Sequence, residues 1–342
     1  MNFASDNAYG AAPEILAALA DAAAGAVPSY GDDEITARVT TRLAQIFDHE
    51  VMVFPVVTGT AANSLALATL CPPHGAVFCH AESHIATDEC AAPEFFSHGA
   101  KLVGLEGARG KLTPDLIQAA LPGFWRGVHS PKPSVVSITQ LTELGTAYTP
   151  GEVKALADFA HGWNMALHMD GARFANALVH LGCTPADLTW RAGVDALSFG
   201  ATKNGALCAE AVIFFDKAKA ADFEYRRKKS GHLLSKMRFV SAQLDAYLAG
   251  DLWLKNARRA NALAQQLADA LRAAKGVTIT HPVDGNQVFA ELPVELSDKL
   301  RAAGAHYYDW APAKDGRVLV RLVTSFTTPE AEVEKFVDLA RS

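Results

Sequence analysis

The sequence predicts an α/β fold. A mostly parallel sheet covered by helices on both faces is expected in a large domain over residues 1–250, with a smaller α+β domain over residues 251–342. Three observations carry that expectation. Short apolar runs alternate with helical patterns between Val51 and Phe215, as in parallel strands joined by crossover helices. Beyond Gly231 come two long helical patterns, Leu233–Ala249 and Leu252–Ala274, the second forming the link near Gly250. From Gln287 the chain returns to short strands and helices. A chain of 342 residues is long enough for one large core and one small one.

The elements follow in order. The first twelve residues are irregular and polar, with Ser5, Asp6 and Asn7, and read as a frayed tail. Pro13 opens a helix, where its missing N–H leaves no bond unmade. Val27–Asp33 is a loop by its Pro and Gly. Ile35, Val39, Leu43 and Ile46 recur at helical spacing. Val51–Val57 reads as a strand and Ala61–Leu70 as a helix. Between them, the small glycine-bearing turn from Thr58 either simply joins the two or leaves backbone N–H groups free for an anion. Further strands are expected at Ala76–Cys79, Lys101–Leu105, Ser134–Thr139, Met165–Met169, Asp195–Phe199 and Ala209–Phe215. Helices Thr113–Leu121 and Gly151–Ala160 fall among them. The last part reads as strand Gln287–Leu292, helix Ser297–Ala303, strand Arg317–Val323 and helix Glu330–Ala340. The five tryptophans have no regular spacing and are assigned to core or interface.

Composition narrows the class. A net charge of −6, with Arg226–Lys229 the one basic run, argues against a nucleic-acid partner. Five cysteines without a CxxC pair argue against a disulfide framework or a zinc knuckle, and fit a reducing compartment. The first residues lack the basic and apolar regions of a signal peptide, and no apolar run reaches membrane-spanning length. The expected location is the cytoplasm.

The chemistry gathers where strands end. The run Asp195–Ala206 takes a strand into small residues and presents Lys203 there; the run Met165–Arg173 ends another strand in Asp170. A desolvated lysine loses its proton more easily and can attack a carbonyl to form a Schiff base. A strand-end Lys and Asp are what pyridoxal 5′-phosphate requires: an amine for the aldehyde and a carboxylate to keep the ring nitrogen protonated. Ligands of such sheets bind outside the carboxyl ends of the strands, so Thr58, His84, Asp170 and Lys203 could share one crevice. Arg173 is either a surface residue or a fork for a substrate carboxylate. Arg321 interrupts an apolar strand, where a charged residue is either on an edge facing water or a working cation, the second being favoured. His80 and His84 lie at i and i+4, but Glu82 is misplaced for a metalloprotease helix, so no metal is expected; His84 is a loop histidine or a ring stacked on a cofactor. Glu143 is an exposed loop acid or a site residue. Arg226–Lys229 is a solvated helix face or the source of a phosphate-neutralising cation.

These pieces together resemble the low-specificity L-threonine aldolase family, pyridoxal-phosphate enzymes of the aspartate aminotransferase-like fold, type I. The match rests on Ser5-Asp6, Tyr30–Asp33, Thr58–Asn63, Ser83-His84, Leu167–Arg173, Thr202-Lys203, Arg226–Gly231 and Arg321–Thr324. The resemblance implies that Lys203 holds the cofactor, Asp170 pairs with its ring nitrogen and His84 stacks on the ring. It puts Gly59, Thr60, Asn63 and Arg227 at or near the phosphate. Ser5, Arg173 and Arg321 would hold the substrate carboxylate, and Tyr30 would lie near the site, often across a subunit boundary. Many members carry Thr-His where this chain has Thr142-Glu143, which makes Glu143 a substrate-handling position. The implied activity is cleavage of L-threonine, L-allo-threonine or an aryl-serine to glycine and an aldehyde, in a homodimer or homotetramer. A β-eliminating lyase or racemase would share these residues, and strand–helix alternation alone also allows a non-catalytic α/β binding protein.

Overall fold

The computed structural model describes all 342 residues. A seven-stranded sheet is formed by β1 (Met52–Val56), β2 (Gly75–His80), β3 (Lys101–Leu105), β4 (Lys132–Thr139), β5 (Ala166–Gly171), β6 (Ala196–Gly200) and β7 (Glu210–Phe214), in spatial order β1-β7-β6-β5-β4-β2-β3. β7 runs antiparallel to both neighbours; the remaining pairings are parallel. The mostly parallel sheet read from the sequence is therefore present. Its central strands are buried on both faces, which is why they read as unbroken apolar runs rather than alternating ones.

Parallel pairing sets Thr139, Asp170 and Ser198 side by side at the ends of β4, β5 and β6. Behind them the fully buried His168 bridges Ser137 and Ser198 through its two ring nitrogens, at 2.9 and 3.0 Å. Burial pushes its pKa down to about 4, so it is a neutral clamp across three strands. Gly200 permits the close approach there: a Cβ on it would lie 2.7 Å from the backbone of Ala172.

A second sheet, in order β10-β11-β9-β8, is formed by β8 (Thr278–Ile279), β9 (Gln287–Pro293), β10 (Tyr308–Asp309) and β11 (Arg317–Val323). β8 and β10 are two residues long, too short to leave a periodic signal in the sequence. The helix Leu252–Arg272 joins the units, with Trp253 and Ala257 in the first core and Leu263, Leu267 and Leu271 in the second.

Two expectations are corrected. The N-terminus is not frayed. Phe3 is fully buried in the second core, and its backbone bonds both His306 and Val323, adding the chain start to the edge of the small sheet. Nor does the helix expected from Leu233 begin there; it runs Arg238–Leu248, because Gly231 to Lys236 turn irregularly before it. No helix is long and apolar enough to cross a membrane.

Candidate active site

The carboxyl ends of β1, β2, β4, β5 and β6 open into one cavity of about 840 Å³. Lys203 stands in the short turn after β6, half-buried and open to the cavity. Burial, then the Arg173 charge, hold its amine below the ordinary lysine pKa, while Asp6, Asp170 and Glu210 pull the other way. Asp170 is buried at the end of β5; its Oδ1 accepts the Ala172 N–H at 2.9 Å and its Oδ2 accepts an Asn63 amide hydrogen at 2.8 Å.

The turn after β1 is already helical: the helix there runs Gly59–Leu70, two residues earlier than the sequence suggests. Thr58 caps it by accepting the Ala61 N–H, so Gly59 and Thr60 keep free first-turn N–H groups, with the positive end of the helix dipole behind them. Nothing lies within 4 Å of where a Cβ on Gly59 would sit. This is a cradle for an anion. Asn63, expected near the same anion, is one turn further along and faces Asp170 instead.

His84 opens a short helical turn after β2 and lines the cavity. Its backbone N–H donates to Glu143 Oε1 and its ring Nδ1 pairs with Glu89 Oε1, both at 2.8 Å. The Glu89 bond raises the His84 pKa. Glu143 also accepts the Thr139 hydroxyl hydrogen at 2.9 Å, and its Oε2 is buried without a partner. Its carboxyl is thus committed to the cavity wall, and burial pushes its pKa up to about 7. Glu143 lines the cavity and also holds the His84 backbone N–H in place.

Two arginines line the cavity. Arg173, just after β5, sends Nε and Nη2 onto the Asp6 carboxylate at 2.9 and 3.0 Å. Arg321 enters from β11, its guanidinium over the rings of Trp310 and Tyr308 at 5.1 and 5.8 Å. Trp310 is thus a cavity residue rather than core or interface. Burial and the Arg173 charge both disfavour the Arg321 cation, so an anion between the two is stabilised. Ser5 lines the cavity beside them, its hydroxyl oxygen accepting the Asn7 N–H. Sequence reasoning missed Asp6, Glu89 and Asn286, which touch the site only through other side chains. The one available signal was the placement of Asp6 beside Ser5.

Two expected site residues lie elsewhere. Arg227 and Tyr30 line a second cavity of about 490 Å³. Arg227 is buried against the Phe54 ring and the Pro55 carbonyl, with its Nε unpartnered; Tyr30 is exposed, with Lys228 over its ring at 4.4 Å. Arg227, expected near the phosphate, lines this second cavity rather than the first. No cluster of His, Cys, Asp or Glu is placed to hold a metal ion.

The sequence profile of the beta-eliminating lyase family matches residues 2–294. A low specificity L-threonine aldolase of Pseudomonas aeruginosa is 45% identical over 340 residues, 99% of this chain and 96% of that protein. The solved threonine aldolase of Leishmania major superposes with a TM-score of 0.94 at 29% identity, covering 99% of this chain and 98% of the other. A serine palmitoyltransferase of Sphingomonas wittichii, 14% identical with a TM-score of 0.72 over 100% of this chain and 86% of its own, shares the fold. The chain belongs to the beta-eliminating lyase family and, within it, groups with the low-specificity L-threonine aldolases.

Proposed function

We propose that the protein is a pyridoxal-phosphate-dependent aldolase that cleaves L-threonine, L-allo-threonine or a related β-hydroxy-α-amino acid to glycine and an aldehyde. The observation that carries this is one cavity holding a desolvated lysine, a strand-end carboxylate, a helix N-terminus with two free amides, and two arginines. The residues fit the cofactor. Lys203 would hold its aldehyde carbon and Asp170 its protonated ring nitrogen; the Gly59 and Thr60 amides would hold its phosphate, and His84 one face of its ring. Bound there, the cofactor supplies an electron sink for the pair left on Cα when the Cα–Cβ bond breaks.

The chain's own residues do the rest. Arg173 has Nη1 free of Asp6, and with Arg321 and the Ser5 hydroxyl it grips the substrate carboxylate. That grip fixes the rotation of the amino acid and so decides which bond at Cα is broken. His84 takes the β-hydroxyl proton as the aldehyde departs, and Lys203 or a water returns a proton to Cα. Asp170, bonded on both oxygens and buried, stays in place throughout.

We infer a symmetric dimer or tetramer. The support is that the exposed Tyr30 does not line the cavity of its own chain and is placed to serve a neighbour's. A monomer by light scattering refutes this. Five free cysteines support a cytoplasmic, reducing location. The test of the activity is incubation with a panel of β-hydroxy amino acids, with glycine and aldehyde measured together. Equal amounts of both are expected; ammonia and a keto acid would instead identify a β-eliminating lyase.

A further inference from the structure

A continuous chain of side chains runs behind the cavity. Asn63 donates one amide hydrogen to Asp170 Oδ2 and the other to Glu89 Oε1, each at 2.8 Å. The same Glu89 oxygen meets His84 Nδ1 at 2.8 Å. Glu89 is 3% exposed and does not line the cavity, so it touches the reaction only through these partners. His84 Nε2 has no partner in the protein.

We propose that Glu89 is the positioning residue of the His84 base: by accepting the Nδ1–H it fixes the ring's tautomer and leaves Nε2 as the nitrogen that receives the substrate's β-hydroxyl proton. The inference rests on the aldolase reading and deepens it. Two donors converge on a single Glu89 oxygen, which acts as their acceptor; burial pushes the carboxyl up, and the His84 and Asn63 bonds oppose that. A carboxylate against one imidazole nitrogen orients the ring, dictates which nitrogen carries the proton, and stabilises the imidazolium once the other nitrogen has taken a proton. Asn63, held between two carboxylates, cannot turn without losing a bond. It therefore ties the His84 ring to the Asp170 carboxylate that would pair with the cofactor's ring nitrogen, holding both side chains in one frame.

The charges facing His84 are specific. Glu89 on its own segment and Asp170 on β5 favour its protonation; burial and Lys203 after β6 oppose it. Asp88 lines the cavity beside it, and Glu143 after β4 holds its backbone N–H. Glu89 makes the largest contribution.

The test compares holoenzyme and Glu89→Gln, which keeps the side-chain shape and an acceptor oxygen but removes the charge. Imidazole nitrogen resonances, assigned to His84 by their loss in His84→Asn, give its tautomer and pKa without substrate. In the wild type the neutral ring carries its proton on Nδ1. In Glu89→Gln the pKa falls by about one unit. The acid limb of the kcat profile follows it downward, and kcat near neutral pH drops about 10- to 100-fold with KM little changed. A wild-type ring protonated on Nε2 overturns the proposal, even if the variant fails to fold. So does a variant whose kcat falls while the His84 pKa stays fixed, since that marks a packing role. If the wild type releases no glycine, the aldolase reading fails separately, and the resonances still decide the Glu89–His84 pairing.

Discussion

Replacing Asp6 by Asn tests how the carboxylate grip is built. The Asp6 side chain is 1% exposed and that of Arg173 11%, and two charge-assisted bonds of 2.9 and 3.0 Å join them. A third donor, Asn286 Nδ2, reaches the same carboxylate at 3.0 Å. Asn offers one acceptor oxygen where three donors converge, and turns its own NH₂ toward one of them. Removing one partner of a buried pair costs about 3–5 kcal/mol. That is a large part of the roughly 5–15 kcal/mol that holds a typical domain folded. The urea midpoint of the holoenzyme is therefore expected to fall sharply. Arg173 also loses its alignment, and one charge-assisted bond to the substrate carboxylate, about 1.5–3 kcal/mol, is weakened. This raises KM for the amino acid about 10- to 100-fold. The acid side adds a signature. Burial would push the Asp6 carboxyl up, but the charges of Arg173 and Lys203 together hold it below the ordinary range. Its contribution is complete above the unfolded carboxylate pKa and is lost as pH falls through the depressed folded value, and Asp6→Asn abolishes that loss. A variant within about 1 kcal/mol of wild type, with unchanged KM, would refute the reasoning.

Three further outcomes are expected. Lys203→Ala loses the visible absorbance of the bound cofactor and essentially all threonine cleavage; turnover at the wild-type rate in this variant ends the lysine assignment. Gly59→Ala, placed in open space with an ordinary helical backbone, leaves the urea midpoint nearly unchanged but weakens pyridoxal phosphate binding, because the new Cβ occupies the anion cradle; equilibrium dialysis measures it, and unchanged affinity contradicts the cradle. Glu143→Gln flattens part of the pH dependence of stability. Burial raises this carboxyl from 4.5 to about 7, so the folded state binds the extra proton and stability falls as pH rises through that window. Glu210, also near 7, keeps a residual slope, and urea midpoints at pH 5 and pH 8 that are identical in wild type and variant would count against the shift.

Much of the site was legible because parallel α/β sheets put chemistry at strand ends. Lys203 and Asp170 betray themselves as charged groups closing apolar runs, and Arg321 as a cation inside one. Thr58 to Asn63 showed that a helix begins on small residues, and the structure adds that its first two amides are unspent. The limits are equally physical. Asn286 carries no local pattern, since its partner is distant in the chain: Asn286 and Asp6 are 280 residues apart. Glu89 lies only five residues from His84, but nothing in that short irregular stretch tells that the two side chains meet. A polar N-terminus reads as frayed until Phe3 is seen filling the second core.

The sequence by itself determined the sheet and its helical cover, and singled out a lysine, an acid and two arginines that the structure brings to one cavity, because periodicity and strand-end composition are local properties. Only the tertiary structure decided which way those groups point. It turned Asn63 to Asp170, drew the Glu143 carboxyl into the wall beside His84, locked Arg173 on Asp6 and packed Arg227 against Phe54 and the Pro55 carbonyl. Hydrogen bonds between residues far apart in the chain set those orientations, and no window along the chain contains both partners.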